Sequence, residues 1–258
     1  MLVAENISVA FGRRRVLHGV DLTVTPGAVT AVIGPNGSGK TTLVKAISGE
    51  APHSGTVILN GADVRTLKPW QVAAQRAVLP QSTTLSFPFT VREVVALGLV
   101  AGGAGGDTDL PEQALARVDL EGFAGRYYQD LSGGEQQRVQ MARVLCQIWE
   151  PVEAGAPRYL LLDEPVSSLD IRHQLVIMDI ARDFARAGGG VLAILHDLNL
   201  AAMYADHILV MREGNAHAFG SPAEVLEDDL LLAVFGCALK VNAPAASPFV
   251  LPQSAVRA

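Results

Sequence analysis

Short apolar runs alternate along the chain with segments of helical periodicity. YLLLD at 159–163, VLAIL at 191–195 and HILVM at 207–211 consist mostly of strand-forming residues. An amphipathic segment long enough for a crossover helix separates each run from the next, and this spacing is typical of parallel strands. The pattern predicts an α/β fold with a mainly parallel sheet.

The first third of the chain contains further short strands. Residues 2–10 and 16–24 alternate partly between apolar and polar side chains around a basic turn, which predicts an antiparallel hairpin or edge pair. TAVI at 30–33 reads as a buried strand, and a polar helix separates TVIL at 56–59 from AVLP at 77–80. We therefore expect an antiparallel β subdomain beside the parallel sheet.

From about 90 to 150 the pattern becomes helical, with a glycine-rich stretch at 101–109 that predicts a flexible loop. This indicates an α-helical subdomain inserted into the α/β domain. We expect one domain at 2–242, a Pro- and Ala-rich, loosely ordered tail at 243–258, and no internal repeat. Within the domain, the expected core covers about 2–88 and 157–236, and the helical subdomain covers about 89–156.

Composition narrows the function classes. With 49% hydrophobic and 18% charged residues the chain is globular, and its net charge of −6 disfavours a nucleic-acid partner. Cys146 and Cys237 lie far apart, and the chain begins without a leader pattern, so we expect a cytosolic protein. Since no apolar run approaches the length of a membrane span, any role in a membrane requires a partner that supplies the spans.

A glycine-rich loop follows the strand at 30–33 and opens a helix. Residues 34–41, GPNGSGKT, match the phosphate-binding pattern GxxxxGK[ST]. Backbone N–H groups and the helix dipole would hold phosphates, Lys40 would reach the β- and γ-phosphates, and Thr41 would bind Mg²⁺. An ordinary helix-capping turn is the weaker alternative. The predicted ATP contacts are Gly34, Pro35, Asn36, Gly37, Ser38, Gly39, Lys40, Thr41 and Thr42.

Two neighbouring acids lie at the end of the strand at 159–163. Asp163 is its last residue, and Glu164 follows directly. Asp163 and Glu164 would lie at the carboxyl edge of the sheet, where open α/β folds bind ligands. We predict that Asp163 orients the Mg²⁺ shell and that Glu164 orients or deprotonates the attacking water. By itself, such a pair is equally typical of a helix N-cap.

Residues 131–138, LSGGEQQR, open a helix predicted to run to about Trp149. Ser-Gly-Gly at a helix start is a second possible anion site, although a simple N-cap would be the more common explanation. One nucleotide does not need two glycine-rich phosphate sites in one subunit. A second site makes sense if it serves a nucleotide bound to another molecule.

These motifs in this order, with SLD at 168–170 and His196 after them, resemble the nucleotide-binding subunits of ATP-binding-cassette (ABC) transporters over about residues 2–236. The resemblance implies a P-loop NTPase core. It also implies a head-to-tail homodimer that encloses two ATP molecules with Mg²⁺. Departures from the family are Val166, where Thr is usual, and an insertion at 150–158.

The resemblance assigns further roles, residue by residue. Phe11 would stack on adenine, Gln81 would lie near Mg²⁺ and the attacking water, and Asp170 would communicate across the dimer. His196 would sense the γ-phosphate. Taken alone, Phe11 would more often be a core aromatic residue and Gln81 a surface glutamine. An isolated histidine such as His196 would more often cap a helix. The residues that would contact the partner's ATP are Ser132, Gly133, Gly134 and Glu135.

A single cassette without membrane spans resembles an importer subunit, which pairs with two copies of a permease at the cytoplasmic face of the bacterial inner membrane. LPQ at 79–81, LSFPFTVREVVALG at 85–98 and HDLNLAAMYAD at 196–206 resemble the metal-chelate group, most closely haemin importers with a periplasmic binding protein. Ferric siderophore or cobalamin import is the alternative. A P-loop small-molecule kinase has no use for LSGGE, and intact Lys40, Asp163, Glu164 and His196 argue against a regulatory cassette without turnover.

Overall fold

The computed structural model describes residues 1–83, 85–102, 109–243, 248 and 250–255. Its strands agree with the apolar runs of the sequence, although several begin or end one or two residues away from the expected positions. They are β1 Leu2–Phe11, β2 Arg14–Val24, β3 Val29–Ile33, β4 Ser54–Leu59, β5 Ala62–Asp63, β6 Arg76–Leu79, β7 Val152–Glu153, β8 Ala156–Pro157, β9 Tyr159–Asp163, β10 Gly190–Ile194, β11 His207–Arg212 and β12 Asn215–Gly220.

Most of the helices lie between these strands along the chain, as crossover connections between parallel strands require, and the last two follow β12. Short 3₁₀ turns occur at 64–66, 128–130 and 252–254. The α-helices are α1 Lys40–Ile47, α2 Pro69–Gln75, α3 Val91–Gly102, α4 Leu110–Arg117, α5 Gly133–Gln147, α6 Ile171–Arg186, α7 Leu198–Tyr204, α8 Pro222–Val225 and α9 Asp228–Phe235.

Two main sheets form the α/β part of the molecule. The larger has the order β12–β11–β3–β10–β9–β6, in which β12 pairs antiparallel with β11 and the other neighbours are parallel. The second sheet, β2–β1–β4–β5, is antiparallel. The predicted α/β class, with a mainly parallel sheet and an antiparallel β part, is therefore confirmed.

The parallel sheet separates two apolar clusters, because successive side chains of a strand point to opposite faces. Leu160 and Leu162 of β9 pack in a cluster with buried residues of α3 to α7, whereas Tyr159 and Leu161 pack with α1 and the antiparallel sheet. All five residues of β9 are buried. The sheet is thus covered on both faces, and its carboxyl edge remains for a ligand.

Helices α3 and α5 contact each other closely in the helical part. A Cβ atom built on Gly98 or Gly102 would lie 2.1 Å from the backbone oxygen of Arg143 or Gln147, so both positions require glycine. Helix α5 ends at Gln147, two residues before the predicted end at Trp149. The physical reason is that Ile148 leaves helical geometry and buries its side chain in the core, while Arg117 packs over the Trp149 ring.

The insertion at 150–158 forms the small hairpin β7–β8. Its register pairs Val152 with Pro157, and the buried Arg158 forms an ion pair with Glu153. Asn60 donates a hydrogen bond to the Pro157 carbonyl at 2.9 Å, which attaches the hairpin to the antiparallel sheet. The hairpin precedes the amino end of β9, so it lies away from the sheet edge where Asp163 stands.

Two expectations fall mainly on residues outside the described ranges, namely the flexible loop at 101–109 and the loosely ordered tail at 243–258. Within the described ranges, none of the helices combines the length and the apolarity that a membrane crossing demands.

Candidate functional site

The phosphate loop connects the fully buried β3 to α1. Gly34, Gly37 and Gly39 all have positive φ, at 149°, 78° and 102°. A Cβ atom on Gly34 would lie 2.2 Å from the Met211 carbonyl oxygen, so only glycine fits beside β11. The loop is further fixed by the backbone of Gly214, whose N–H donates to the Ser38 carbonyl at 3.0 Å. The β11–β12 turn therefore supports the loop, and no motif in the sequence indicates this contact.

Lys40 is the first residue of α1 and is 5% exposed. Its Nζ donates to the carbonyls of Gly34 and Pro35 at 2.8 and 3.1 Å, so the ammonium group lies across the loop. Burial lowers the pKa of Lys40, and the nearby Glu164 and Asp163 carboxylates oppose this shift. The loop thus holds a cation where a phosphate would bind.

Ser38 has a buried hydroxyl, and none of the described residues offers it a hydrogen-bond partner. A buried polar group without a hydrogen-bond partner destabilises a protein. Such a group is therefore usually satisfied by a bound ligand or water. A phosphate oxygen above the loop would accept from this hydroxyl. The orphaned hydroxyl therefore fits a nucleotide-binding loop.

Asp163 ends β9 and is 2% exposed. Thr41 Oγ1, on the first turn of α1, donates to its Oδ1 at 3.1 Å. Burial raises the pKa of Asp163, the Thr41 hydrogen bond opposes this shift, and the Glu164 charge adds to it. A hydroxyl and a carboxylate oxygen this close suit Mg²⁺, which commonly takes one or two protein oxygens and completes its shell with phosphates and water.

Glu164 and His196 face each other at the same sheet edge. Their side chains follow the adjacent parallel strands β9 and β10, and His196 Nε2 lies 2.7 Å from Glu164 Oε1. The Glu164 side chain is 14% exposed and that of His196 is 42% exposed. The histidine is therefore within reach of an incoming ligand, while the carboxylate lies deeper. Asp197, next in the chain, caps α7.

The structure thus brings five predicted residues of one chain together: Lys40, Thr41, Asp163, Glu164 and His196. The negative charges of Glu164 and Asp163 act on Lys40 by raising its pKa against the effect of burial, so the acidic pair lies close to the phosphate loop. Thr42 is half-buried on the same first turn of α1. Asn36 and Gly37 line a separate cavity beside α9.

The four residues predicted to contact the partner's ATP lie at the start of helix α5. Ser132 is its N-cap, and Glu135 accepts hydrogen bonds from the Ser132 hydroxyl and N–H at 2.7 and 2.8 Å. These bonds lower the pKa of Glu135. The capping box satisfies the helix end locally, and Gly133 and Gly134 follow on the first turn.

The remaining predicted residues occupy three other places. Phe11 ends β1 opposite Arg14 and is 55% exposed, so its ring is available for stacking. Gln81 follows β6 and lines a cavity of about 180 Å³ with Gly133. Asp170 caps α6 by accepting from the His173 N–H at 2.9 Å, and bonds from His173 lower its pKa.

We expect Asp163→Asn to abolish most ATP turnover and yet to raise Tm by about 2–4 °C. A raised pKa in the folded state means that the carboxylate is costly to bury, so folding becomes less favourable as pH rises from the ordinary carboxyl range through the raised value. The gain should therefore be larger near pH 7 than near pH 4. Thermal unfolding of both proteins without nucleotide or Mg²⁺ measures it, and an equal or lower Tm of the variant at neutral pH would contradict the burial argument.

The chain is similar to known proteins over nearly its whole length. The ABC transporter family model matches residues 17–167. The chain is 63% identical over 99% of its length to a protein of Mesorhizobium japonicum named hemin import ATP-binding protein HmuV, and 62% identical over 99% to one of that name from Rhizobium meliloti. It covers 100% and 99% of these relatives.

A solved structure shares the fold. It is a dimeric post-hydrolysis state of an ATP-binding cassette bound to ADP and Pi, with a TM-score of 0.75 and 25% identity over 86% of this chain and 99% of that one. The family match covers the phosphate loop, the LSGGE segment and the acidic strand. The chain therefore belongs to the ABC transporter family, as an ATP-binding subunit with ATPase activity.

Proposed function

We propose that this chain is the ATP-hydrolysing subunit of a haemin importer, and that it energises haemin uptake across the cytoplasmic membrane. The observation that supports haemin as the transported molecule is the 63% identity, over 99% of the chain, to a hemin import ATP-binding protein. The convergence of Lys40, Asp163, Glu164 and His196 supports the hydrolysis. A ferric siderophore or cobalamin is the alternative transported molecule.

Hydrolysis needs a positioned water and stabilisation of the charge that develops on the γ-phosphate. In our proposal Glu164 accepts a proton from the water, while His196, held at 2.7 Å from that carboxylate, contacts the γ-phosphate. Lys40 contacts the β- and γ-phosphates. Backbone N–H groups of 34–39 and the side chains of Ser38 and Thr42 complete the ATP-binding residues.

Thr41, Asp163 and Gln81 would hold Mg²⁺ in this proposal. The bound cation supplies charge neutralisation between the phosphates. The 3.1 Å contact between Thr41 and Asp163 supports the first two assignments. Gln81 is supported by its place after β6, the neighbour of β9 in the sheet.

The proposed working unit is a head-to-tail homodimer. Ser132, Gly133, Gly134 and Glu135 of one copy would contact the ATP bound by the other, with Phe11 stacking on adenine and Asp170 contacting the partner. The dimeric cassette structure with the same fold supports this arrangement. The proposed division remains a core at about 2–88 and 157–236 with a helical subdomain at about 89–156.

The dimer would bind two copies of a permease at the cytoplasmic face of the inner membrane, and a periplasmic haem-binding protein would act through the permease. Phe87 supports a partner surface near Gln81, because its side chain is 71% exposed and its ring packs edge-on against Phe89. Large exposed aromatic side chains are enriched at protein interfaces.

The test is ATPase activity of the chain co-purified with its permease and reconstituted in liposomes. We expect haemin-loaded binding protein to stimulate turnover several-fold and to drive haemin uptake, while the same preparation with a ferric siderophore or cobalamin remains at the basal rate. A complex carrying Glu164→Gln should show neither response. Stimulation and uptake with another chelate instead of haemin would overturn the proposed cargo.

A further inference from the structure

Glu164 has an unusual backbone conformation for a non-glycine residue. Its φ is +54°, in the left-handed region. Pro165 follows, and the residue before a proline is driven towards extended geometry, so the conformation is unfavourable for Glu164. Residues held in such conformations need support from their surroundings. The direction of the Glu164 side chain depends on this backbone, since Cβ is fixed by it.

One supporting contact comes from outside the loop. Gln137 Nε2, on α5, donates to the Glu164 carbonyl at 3.0 Å. The same carbonyl also accepts from the Ser167 N–H and hydroxyl, at the longer distances of 3.4 and 3.3 Å, but these belong to the turn itself. Among the described residues, the Gln137 amide is therefore the donor from another element that reaches the Glu164 carbonyl.

Helix α5 meets the turn after Glu164 at several points. A Cβ atom on Gly134 would lie 3.0 Å from the Ser168 carbonyl, so the start of the helix packs tightly on this turn. Gln81, Gly133 and Gln137 together line the cavity of about 180 Å³. The segment after β6, the start of α5 and the Glu164 turn thus share one small space.

We propose that Gln137 is a positioning residue for Glu164, whose carboxylate it aims by holding the Glu164 carbonyl. A shift of α5, or of the Gln81 segment beside it, changes this hydrogen bond and with it the direction of the carboxylate. The inference rests on the proposed role of Glu164 in activating water. Gln137 touches neither nucleotide nor water in this account, so it affects turnover and not ATP binding.

Gln137→Met tests the contact, because methionine keeps the length of the side chain and removes the amide donor. In the reconstituted complex we expect kcat to fall about 10-fold with an unchanged KM for ATP, as for an interaction that acts only on the chemical step. The matched control is Gln174→Met. Gln174 Nε2 donates to the Val166 and Leu169 carbonyls of the same turn but not to Glu164. The kcat of the Gln174→Met variant should therefore stay within about 2-fold of the parent value.

Gln137→Glu adds a second measurement, the pH dependence of kcat, which a general loosening of the turn would not change. A protonated glutamic acid can donate to the Glu164 carbonyl, whereas its carboxylate repels that oxygen. Because a glutamic acid side chain ordinarily has a pKa of about 4.3, the kcat ratio of this variant to the parent should rise as pH falls from about 6.5 to about 5, and that of Gln137→Met should stay flat.

The outcomes separate this inference from the proposed function. An unchanged kcat in Gln137→Met, or an equal loss in Gln174→Met, overturns the positioning role while Glu164→Gln remains inactive in the same assay. A flat pH ratio for Gln137→Glu also overturns it. If Glu164→Gln instead keeps full turnover, the proposed role of Glu164 fails, and the inference fails with it.

Discussion

Replacing Glu164 by glutamine is expected to lower ATP turnover by about 100- to 10,000-fold, the usual range for loss of a general base. Glutamine has nearly the same shape, and its amide oxygen can still accept from His196, which lies 2.7 Å from Glu164 Oε1. Nucleotide binding should therefore remain. In the proposed homodimer, ATP that is not hydrolysed would continue to hold the two copies together, so the variant should form a stable dimer with ATP.

Size-exclusion chromatography with and without ATP measures the dimer, and phosphate release measures turnover. Glu121→Gln is a suitable control, since it neutralises an exposed glutamate in the segment between α4 and α5, outside the site. A monomeric Glu164→Gln protein at saturating ATP would favour a P-loop kinase over the proposed ATP-bound homodimer. Wild-type turnover by this variant would remove Glu164 from the reaction.

Lys40→Ala should weaken ATP binding by about 100-fold or more and abolish turnover. Two charge-assisted hydrogen bonds to phosphate are lost, and each contributes about 1.5–3 kcal/mol. The lysine is 5% exposed, and its Nζ already lies across the loop. Burial lowers the pKa of Lys40, and the Glu164 and Asp163 carboxylates beside it oppose this shift.

Fluorescent-nucleotide titration and the ATPase assay measure these losses. Lys68→Ala removes an exposed lysine outside the site and should bind ATP normally, with unchanged turnover. An unchanged Tm of Lys40→Ala without nucleotide would show that the fold survives. Retention of wild-type ATPase by Lys40→Ala would contradict the assignment of the phosphate loop.

Most of the fold could be predicted from the sequence because each strand is a local pattern. YLLLD at 159–163 became β9 without any shift, and the hairpin expected near 2–24 became β1 and β2. The end of α5 was less predictable. Ile148 leaves the helix because its side chain fits the core, and a helical repeat in the sequence contains no information about that fit.

The candidate site divides in the same way. Lys40, Thr41, Asp163 and Glu164 belong to local motifs whose chemistry follows from residue type and from their place at a strand end. Gln137 carries no such signal, since it is one of two neighbouring glutamines on a polar stretch of helix. Its contact with the Glu164 carbonyl joins residues 27 positions apart and exists only because α5 packs on the turn after β9.

The sequence by itself determined the phosphate loop, the acidic pair and the α/β class, because short apolar runs, glycines and charges fix local geometry and the edge at which strands end. Tertiary structure alone decided which groups meet. It placed His196 against Glu164, the Thr41 hydroxyl against Asp163, and the β11–β12 turn under the phosphate loop. Those contacts depend on strand order and on the packing of distant elements, which no local pattern encodes.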